Sequence, residues 1–318
     1  MTETKKDNKL MNLFRHFDEG GALIALIVLC LIISIINPVF LTTKNLINVL
    51  RQFSFIGIVA VGGAFVIITH GIDLSVGSFM GFGAVSFAWL CSKGVPPIVA
   101  FFMVLIMGGL MGSLNGLGVV KLGLNPFIIT LGMEHVVKGV TMLISGGLPI
   151  KFDNYMSWMG GQWLTVPVSI YFMLVIMVIG YVVLSKTEYG RKIYAVGGNA
   201  RAAKLSGIKV GAVQTSVFAL TGVLACLAGM ISCANLGSGD VSTGSQMEMS
   251  VITACVLGGV SLDGGRGSIL GVFIGAAIIG VIKNGFVLLM IPSAWQTVAL
   301  GGFLVLACAL DQIKRRGN

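Results

Sequence analysis

The sequence predicts an all-α fold: a polytopic transmembrane helical bundle of about ten spans, with both termini cytoplasmic. Three observations predict it. Of 318 residues, 56% are hydrophobic and 10% charged, and mean hydropathy is +0.96; a soluble globular domain carries about 25% charged residues. Ten apolar runs approach the length of a membrane span, about 20 residues. Lys and Arg collect in alternate loops, as they do on the cytoplasmic side of membrane proteins.

In order, the expected spans are 20–37, 53–70, 74–92, 97–120, 126–145, 166–185, 211–235, 249–262, 267–290 and 294–310. The eighth is short, and the second and third nearly touch. Residues 1–19 read as a cytoplasmic tail, 20–312 as the membrane domain and 313–318 as a basic cytoplasmic tail. No small-x-small cleavage site follows the first run, so it is expected to stay as a span. With the N-terminus inside, fifteen basic residues fall on inside segments and four, Lys44, Arg51, Lys93 and Lys151, on outside ones. Lys138 and Lys283 fall within spans. The net charge of +9 and pI near 9.4 follow from this bias, and nucleic acid is not an expected partner.

Two loops stand out. The outside loop 146–165 carries Tyr155, Trp158 and Trp163, either an aromatic belt at the lipid headgroups or a surface for an external partner. The inside loop 186–210 is strongly basic. Asn199 is a candidate helix N-cap, and the helix after it ends at Gly207. Charge bias does not require a structured helix there, whereas a docked partner does.

No phosphate loop GxxxxGK[ST], HExxH or GxSxG motif occurs, and His16, His70 and His135 are scattered. An enzyme acting alone is not expected, nor a cofactor or metal held by this chain. The six cysteines lie in or beside apolar runs with no CxxC, which reads as buried small hydrophobes. Of 45 glycines, Gly108, Gly112 and Gly116, and Gly267, Gly271 and Gly275, recur every four residues, a signal of close helix packing in lipid.

Polar residues within apolar runs are the candidate site, because burying them in lipid is costly. Asp73 sits in THGIDLSVGSFMG, residues 69–81. It either N-caps the third span or lines a pathway. The pattern D-x-x-x-G-S-x-x-G recurs at Asp263, a repeat of the kind transporters use or a coincidence of abundant glycine. Glu134 and Lys138 are four apart in the favoured order, giving a structural ion pair or a proton relay. Asn115, Asn125, Asn284 and Glu248 sit near span ends or breaks. They either bond neighbouring backbone or together hold a polyhydroxylated ligand.

GIDLSVGS (71–78), NPFIITLG (125–132), YGRKIYAVGGNARAAKLSGIKV (189–210) and ACVLGGVSLDGGRGS (254–268) occur in this order. With them the chain resembles the membrane permease subunit of bacterial ABC importers for monosaccharides, of the ribose, galactose, arabinose and xylose type, nearest the ribose group. The resemblance spans roughly residues 20–312. It implies a multi-pass protein of the bacterial inner (plasma) membrane, paired with a second permease copy or homologue. A cytoplasmic ATPase would bind the ATP, and an extracytoplasmic sugar-binding protein would deliver the sugar. It implies ATPase docking through Gly190, Arg191, Tyr194, Gly197, Asn199, Ala203 and Gly207. It implies a substrate pathway that includes Asp73, Ser75, Phe127 and Thr130, to which Asn115, Asn125, Glu248 and Asn284 are added from the reading of the polar residues. Asp263 and Glu134 depart from the family pattern, which carries uncharged or apolar residues there. A secondary transporter driven by ions through Glu134, Lys138 and Asp73 is the rival reading.

Overall fold

In a computed structural model, residues 19–316 are described; the expected N-terminal tail and the last two residues lie outside them. The helices are α1 (Glu19–Ile36), α2 (Thr43–Ile68), α3 (Val76–Ser92), α4 (Pro97–Leu122), α5 (Pro126–Ser145), α6 (Val168–Lys186), α7 (Glu188–Gly198), α8 (Ala200–Leu205), α9 (Val210–Leu236), α10 (Met247–Leu257), α11 (Ile269–Leu288) and α12 (Ser293–Arg316). Six of them, α2, α4, α5, α6, α9 and α11, are long and apolar enough to cross a membrane, while the apolar parts of α1, α3, α10 and α12 are shorter. Exposed apolar side chains such as Leu31, Ile106, Leu143 and Val178 cover far more surface than a water-soluble monomer leaves open. Every expected span has a helix. The second begins ten residues early, at Thr43, because its polar first turns carry Asn45, a buried residue that hydropathy alone discards.

Helices α2 and α9 cross at the centre, where a Cβ at Gly62 would lie 2.8 Å from Thr221 Cα. The glycine stripe of α4 faces α9: Gly108 abuts Gly222, Gly112 abuts Phe218 and Gly116 abuts Thr215. Gly271 and Gly275 set α11 against Gly258 and Ala254 at the end of α10. Gly267, expected in the same stripe, precedes the helix at φ 151°. Small residues let the helix backbones close up, and in lipid this contact is the main source of helix association.

The packing is pseudo-symmetric. α2 is followed by an irregular stretch and the short α3; α9 is followed by an irregular stretch and the short α10. α4 then packs on α9 and α11 on α2, while α5 packs on α3 and α12 on α10. The repeat is therefore real, but not between Asp73 and Asp263. The counterpart of D73-L-S-V-G-S78 is D240-V-S-T-G-S245. In both, the Asp Oδ1 accepts from the N–H and the hydroxyl of the Ser two residues on, Ser75 and Ser242. Gly77 and Gly244, at the same step of each copy, abut: a Cβ on Gly77 would lie 2.7 Å from Gly244 O, and one on Gly244 2.6 Å from Gly77 O. Asp263 instead lies in the turn between α10 and α11, so its echo is coincidental.

The loops gather at two ends. At one end, the α7–α8 unit meets the end of α2 and the turn 261–268: Gly265 N–H donates to Ile68 O at 2.8 Å, and Tyr194 O–H donates to Gly267 O at 2.7 Å. At the other end, Asn37 donates to Leu288 O, and Phe152 N–H to Gly237 O at 2.9 Å. There Ile150–Lys151 pairs with Ser238–Gly239 as a short antiparallel ladder. Loop 146–165 is thus a packed cap with Phe152, Met156 and Met159 buried, while Trp158 and Trp163 remain outward.

Candidate functional site

The two breaks are the centre of the molecule's polar interior. The chain from Ile72 to Ser75 runs extended along α10, with Leu74 packed on Ile252 and Val256. The chain from Gly239 to Gly244 runs reciprocally down α3, with Gly239 against Ala84, Val241 against Gly81 and Gly244 against Gly77. Irregular backbone at membrane depth persists only where protein buries it or water reaches it, and the two breaks cover each other.

Asp73 is buried and stands two residues ahead of the N-cap of α3. That cap is Ser75, which makes no side-chain capping bond. The expected N-cap is therefore corrected to a turn in which Asp73 holds Ser75. Ser75 Oγ in turn accepts from Asn115 Nδ2 at 2.9 Å, and Thr130 Oγ1 reaches Ile72 O at 3.3 Å. Four expected pathway residues thus meet in one network that fastens the break to α4 and α5. Asp73 Oδ2 and Asn115 Oδ1 are buried without a hydrogen-bond partner among the described residues. Asp73→Ala removes the two bonds that Oδ1 accepts from Ser75 and should lower stability by about 2 kcal/mol. Asp73→Asn keeps the Oδ1 acceptor and should cost about 1 kcal/mol or less. Thermal unfolding of the purified variants in detergent checks the order.

Beside this network lies a cavity of about 220 Å³ lined by Gly77, Ser78, Glu134, Lys138, Thr141, Val241, Gly244, Ser245, Gln246 and Glu248. Glu248 opens α10 and occupies the space a Cβ on Gly77 would fill. Glu134 and Lys138 both face the cavity, but no ion pair within 4.0 Å joins them; among the described residues such pairs are Lys151–Asp153 and Lys192–Glu188. The structural pair is corrected for a physical reason. Their shared helix face looks onto a polar cavity that Glu248 also lines. Lys283 stands behind, donating to Ser250 Oγ at 2.9 Å. Gln246 takes a left-handed φ of 62° at the break and bonds Thr297 of α12 at 3.1 Å. Such strain in a non-glycine residue marks a position the surroundings hold in place.

The remaining expected pathway residues lie elsewhere. Asn284 exchanges amide bonds with Asn45 at 3.0 and 2.9 Å, tying α11 to the start of α2. Asn125 caps α5 by accepting from Phe127 N–H at 2.9 Å, and both residues are exposed. Sequence reasoning placed Gly77 at a close helix contact and Lys283 within a span without assigning either to the site, and missed Gly244 and Gln246. The D-x-S-x-G-S copy at 240–245 was the available signal; its two copies run through a bundle in opposite directions, and abundant glycine offered a competing echo.

The expected docking residues divide by face. Gly190 abuts Leu184, Gly197 abuts Ile68 and Gly265, Ala203 is buried, and Gly207 at φ 83° ends α8. Burial pushes the Tyr194 hydroxyl pKa up, and its bond to Gly267 O keeps it a donor. Asn199 caps α8 by accepting from Ala202 N–H at 2.9 Å. Arg191 and Asn199 point outward, beside Arg201, Lys204 and Leu205, the last 86% exposed.

Residues 45–308 match the family described as branched-chain amino acid transport system / permease component. The chain is 41% identical to the ribose import permease protein RbsC of Bacillus subtilis, over 94% of this chain and 95% of that one. It is 38% identical to the ribose import permease protein RbsC of Haemophilus influenzae, over 96% and 97%. It is 35% identical to the D-allose transport system permease protein AlsC of Escherichia coli, over 96% and 95%. No solved structure matches it.

Proposed function

The chain belongs to the family of branched-chain amino acid transport system permease components, and on that premise we propose that it is the membrane permease of an ABC importer for a monosaccharide. The observation that carries the choice of a sugar is the lining of the central cavity. Ser78, Thr141, Ser245, Gln246, Glu134, Lys138 and Glu248 offer donors and acceptors, and Val241 is the sole large aliphatic group among the lining residues. A branched aliphatic side chain needs an apolar pocket; a polyol needs this one. The ribose and allose permeases that align end to end support the same choice, against the family's own descriptor.

In this reading the α7–α8 end faces the cytoplasm and meets a separate ATPase subunit, which binds and hydrolyses the ATP. The opposite end receives sugar from an external binding protein, and a second permease copy or homologue completes the pathway. The exposed Leu205, with exposed Arg201, Lys204 and Lys209 close to it in the chain, offers the ATPase an apolar anchor in a basic segment; such anchors dominate interface energetics. Gly190, Gly197 and Ala203 seat the unit on the bundle, while Arg191 and Leu205 face the partner.

Reconstitution with its ATPase and binding protein tests the proposal. Proteoliposomes should take up D-ribose or D-allose only with ATP, and a protonophore should change nothing. Uptake without the ATPase, or loss of uptake to the protonophore with ATP intact, supports the ion-driven reading through Glu134, Lys138 and Asp73 instead. Leu205→Glu should leave membrane insertion intact and weaken ATPase binding by about 2 kcal/mol, measured by pull-down of the ATPase in detergent.

A further inference from the structure

We propose that the cavity where the two breaks meet is the specificity-determining subsite of the pathway: Glu248 and Glu134 accept from the hydroxyls of one neutral polyol, and Lys138 donates to it. This rests on the sugar-importer reading and adds which side chains select the sugar.

Three observations carry it. The first is position. The cavity opens where two inverted copies touch through Gly77 and Gly244, and sites of inverted-repeat transporters form at the repeat interface, from interrupted helices. The second is the state of the charged groups. Glu134 and Lys138 face one small cavity, and no hydrogen bond or ion pair to another residue engages either head among the described residues. Charged groups with no partner in the protein gain most from a ligand that supplies one. The third is balance. Glu134, Glu248 and Lys138 line the cavity and the Lys283 ammonium lies behind it on Ser250 Oγ, so two carboxylates and two ammonium groups sit in and just behind one space. A neutral solute leaves that balance intact, whereas a charged one disturbs it. An ionised carboxylate only accepts hydrogen bonds, through two oxygens, and adjacent hydroxyls of a sugar present two donors at matching spacing. At about 220 Å³ the space is below the 300–1,000 Å³ typical of pockets for drug-sized ligands and suits a single small ring.

Two positions support Glu248. Gly77, itself in the cavity wall, leaves room for its carboxylate, and Lys283 is fixed on Ser250, two residues further along α10. Ser250 Oγ itself donates to Gln246 O at 3.0 Å, so the cation, the break and the start of α10 form one connected support.

The experiment uses the full importer in proteoliposomes. Uptake of radiolabelled D-ribose is competed with 2-deoxy-D-ribose, for wild type, Glu248→Gln, Glu134→Gln and Lys138→Met, with binding-protein-stimulated ATP hydrolysis read in parallel. A site built to bond a hydroxyl rejects the analogue that lacks it. Glu248→Gln and Glu134→Gln should therefore each shrink the ribose preference over 2-deoxyribose by about tenfold or more, a ratio read independently of how much total uptake each variant retains. Lys138→Met should lower uptake of both sugars alike. If Glu248→Gln does not fold, Glu134→Gln on the open face of α5 carries the same readout. An unchanged preference in both glutamate variants overturns the subsite while leaving the importer reading intact. If the wild type carries D-allose rather than ribose, the series is read with D-allose and its 2-deoxy analogue. If it carries leucine alone, the sugar reading and the subsite fall together.

Discussion

Gly77→Ala should abolish transport. The new methyl would lie 2.7 Å from Gly244 O and on the Glu248 carboxylate, so either the two breaks part or Glu248 leaves the cavity. Overpacking of this kind costs about 1–3 kcal/mol. Gly244→Ala should be worse. Its methyl would lie 2.6 Å from Gly77 O, at a φ of 89°, where a side chain adds about 1–2 kcal/mol of backbone strain. We therefore expect both variants to insert, to unfold at lower temperature than wild type in that order, and to retain under about a tenth of the uptake. Wild-type uptake in Gly77→Ala would show that the contact between the two copies has no part in transport. The physical point is that in each variant one obstacle is a backbone carbonyl of the facing copy, which cannot rotate away as a flexible side chain does.

Gly197→Ala should be the second severe substitution, and it should uncouple transport rather than block the pathway. A methyl there would overlap Ile68 O and come within 2.6 Å of Gly265 N. These are the two atoms whose 2.8 Å hydrogen bond joins the end of α2 to the turn before α11. α7 must lift away and leave that bond, at about 1–3 kcal/mol for overpacking. The neighbouring Gly198→Ala is the control, because a methyl there meets nothing within 4 Å. In proteoliposomes Gly197→Ala should lose sugar uptake while ATP hydrolysis persists without stimulation, and Gly198→Ala should unfold at the wild-type temperature. Equal behaviour of the two variants would separate coupling from this contact. Ile68 lies five residues before Asp73 in the chain, so the same contact gives the α7–α8 unit a direct mechanical link to the first break.

Reading the residues in order recovered much of this site and missed its organisation. Asp73 and Asn115 stood out because polar groups in apolar runs are costly, Ser75 and Thr130 came from the resemblance, and the four do meet. Glu134 and Lys138 stood out for the same reason, but helical spacing says only that two side chains share a face. It does not say whether that face closes on itself or opens on a cavity. Asn284 and Asn125 met the same criterion and serve packing and capping, since an amide that satisfies backbone or another amide looks identical in sequence to one that faces a ligand. Phe127 came from the resemblance alone and lies outward.

Composition and hydropathy by themselves determined that this chain is a helical membrane protein, because an apolar fraction of 56% has no soluble solution. The ordered motifs determined its family, and the glycine spacing determined which helix faces close up. Tertiary structure alone decided that two copies of D-x-S-x-G-S form one centre. Gly77 and Gly244 are brought together by antiparallel segments, and a linear pattern carries no information about which segments cross. It also decided that Gly77 makes the space Glu248 occupies, because the value of an absent side chain depends on what stands 3 Å away in another part of the chain.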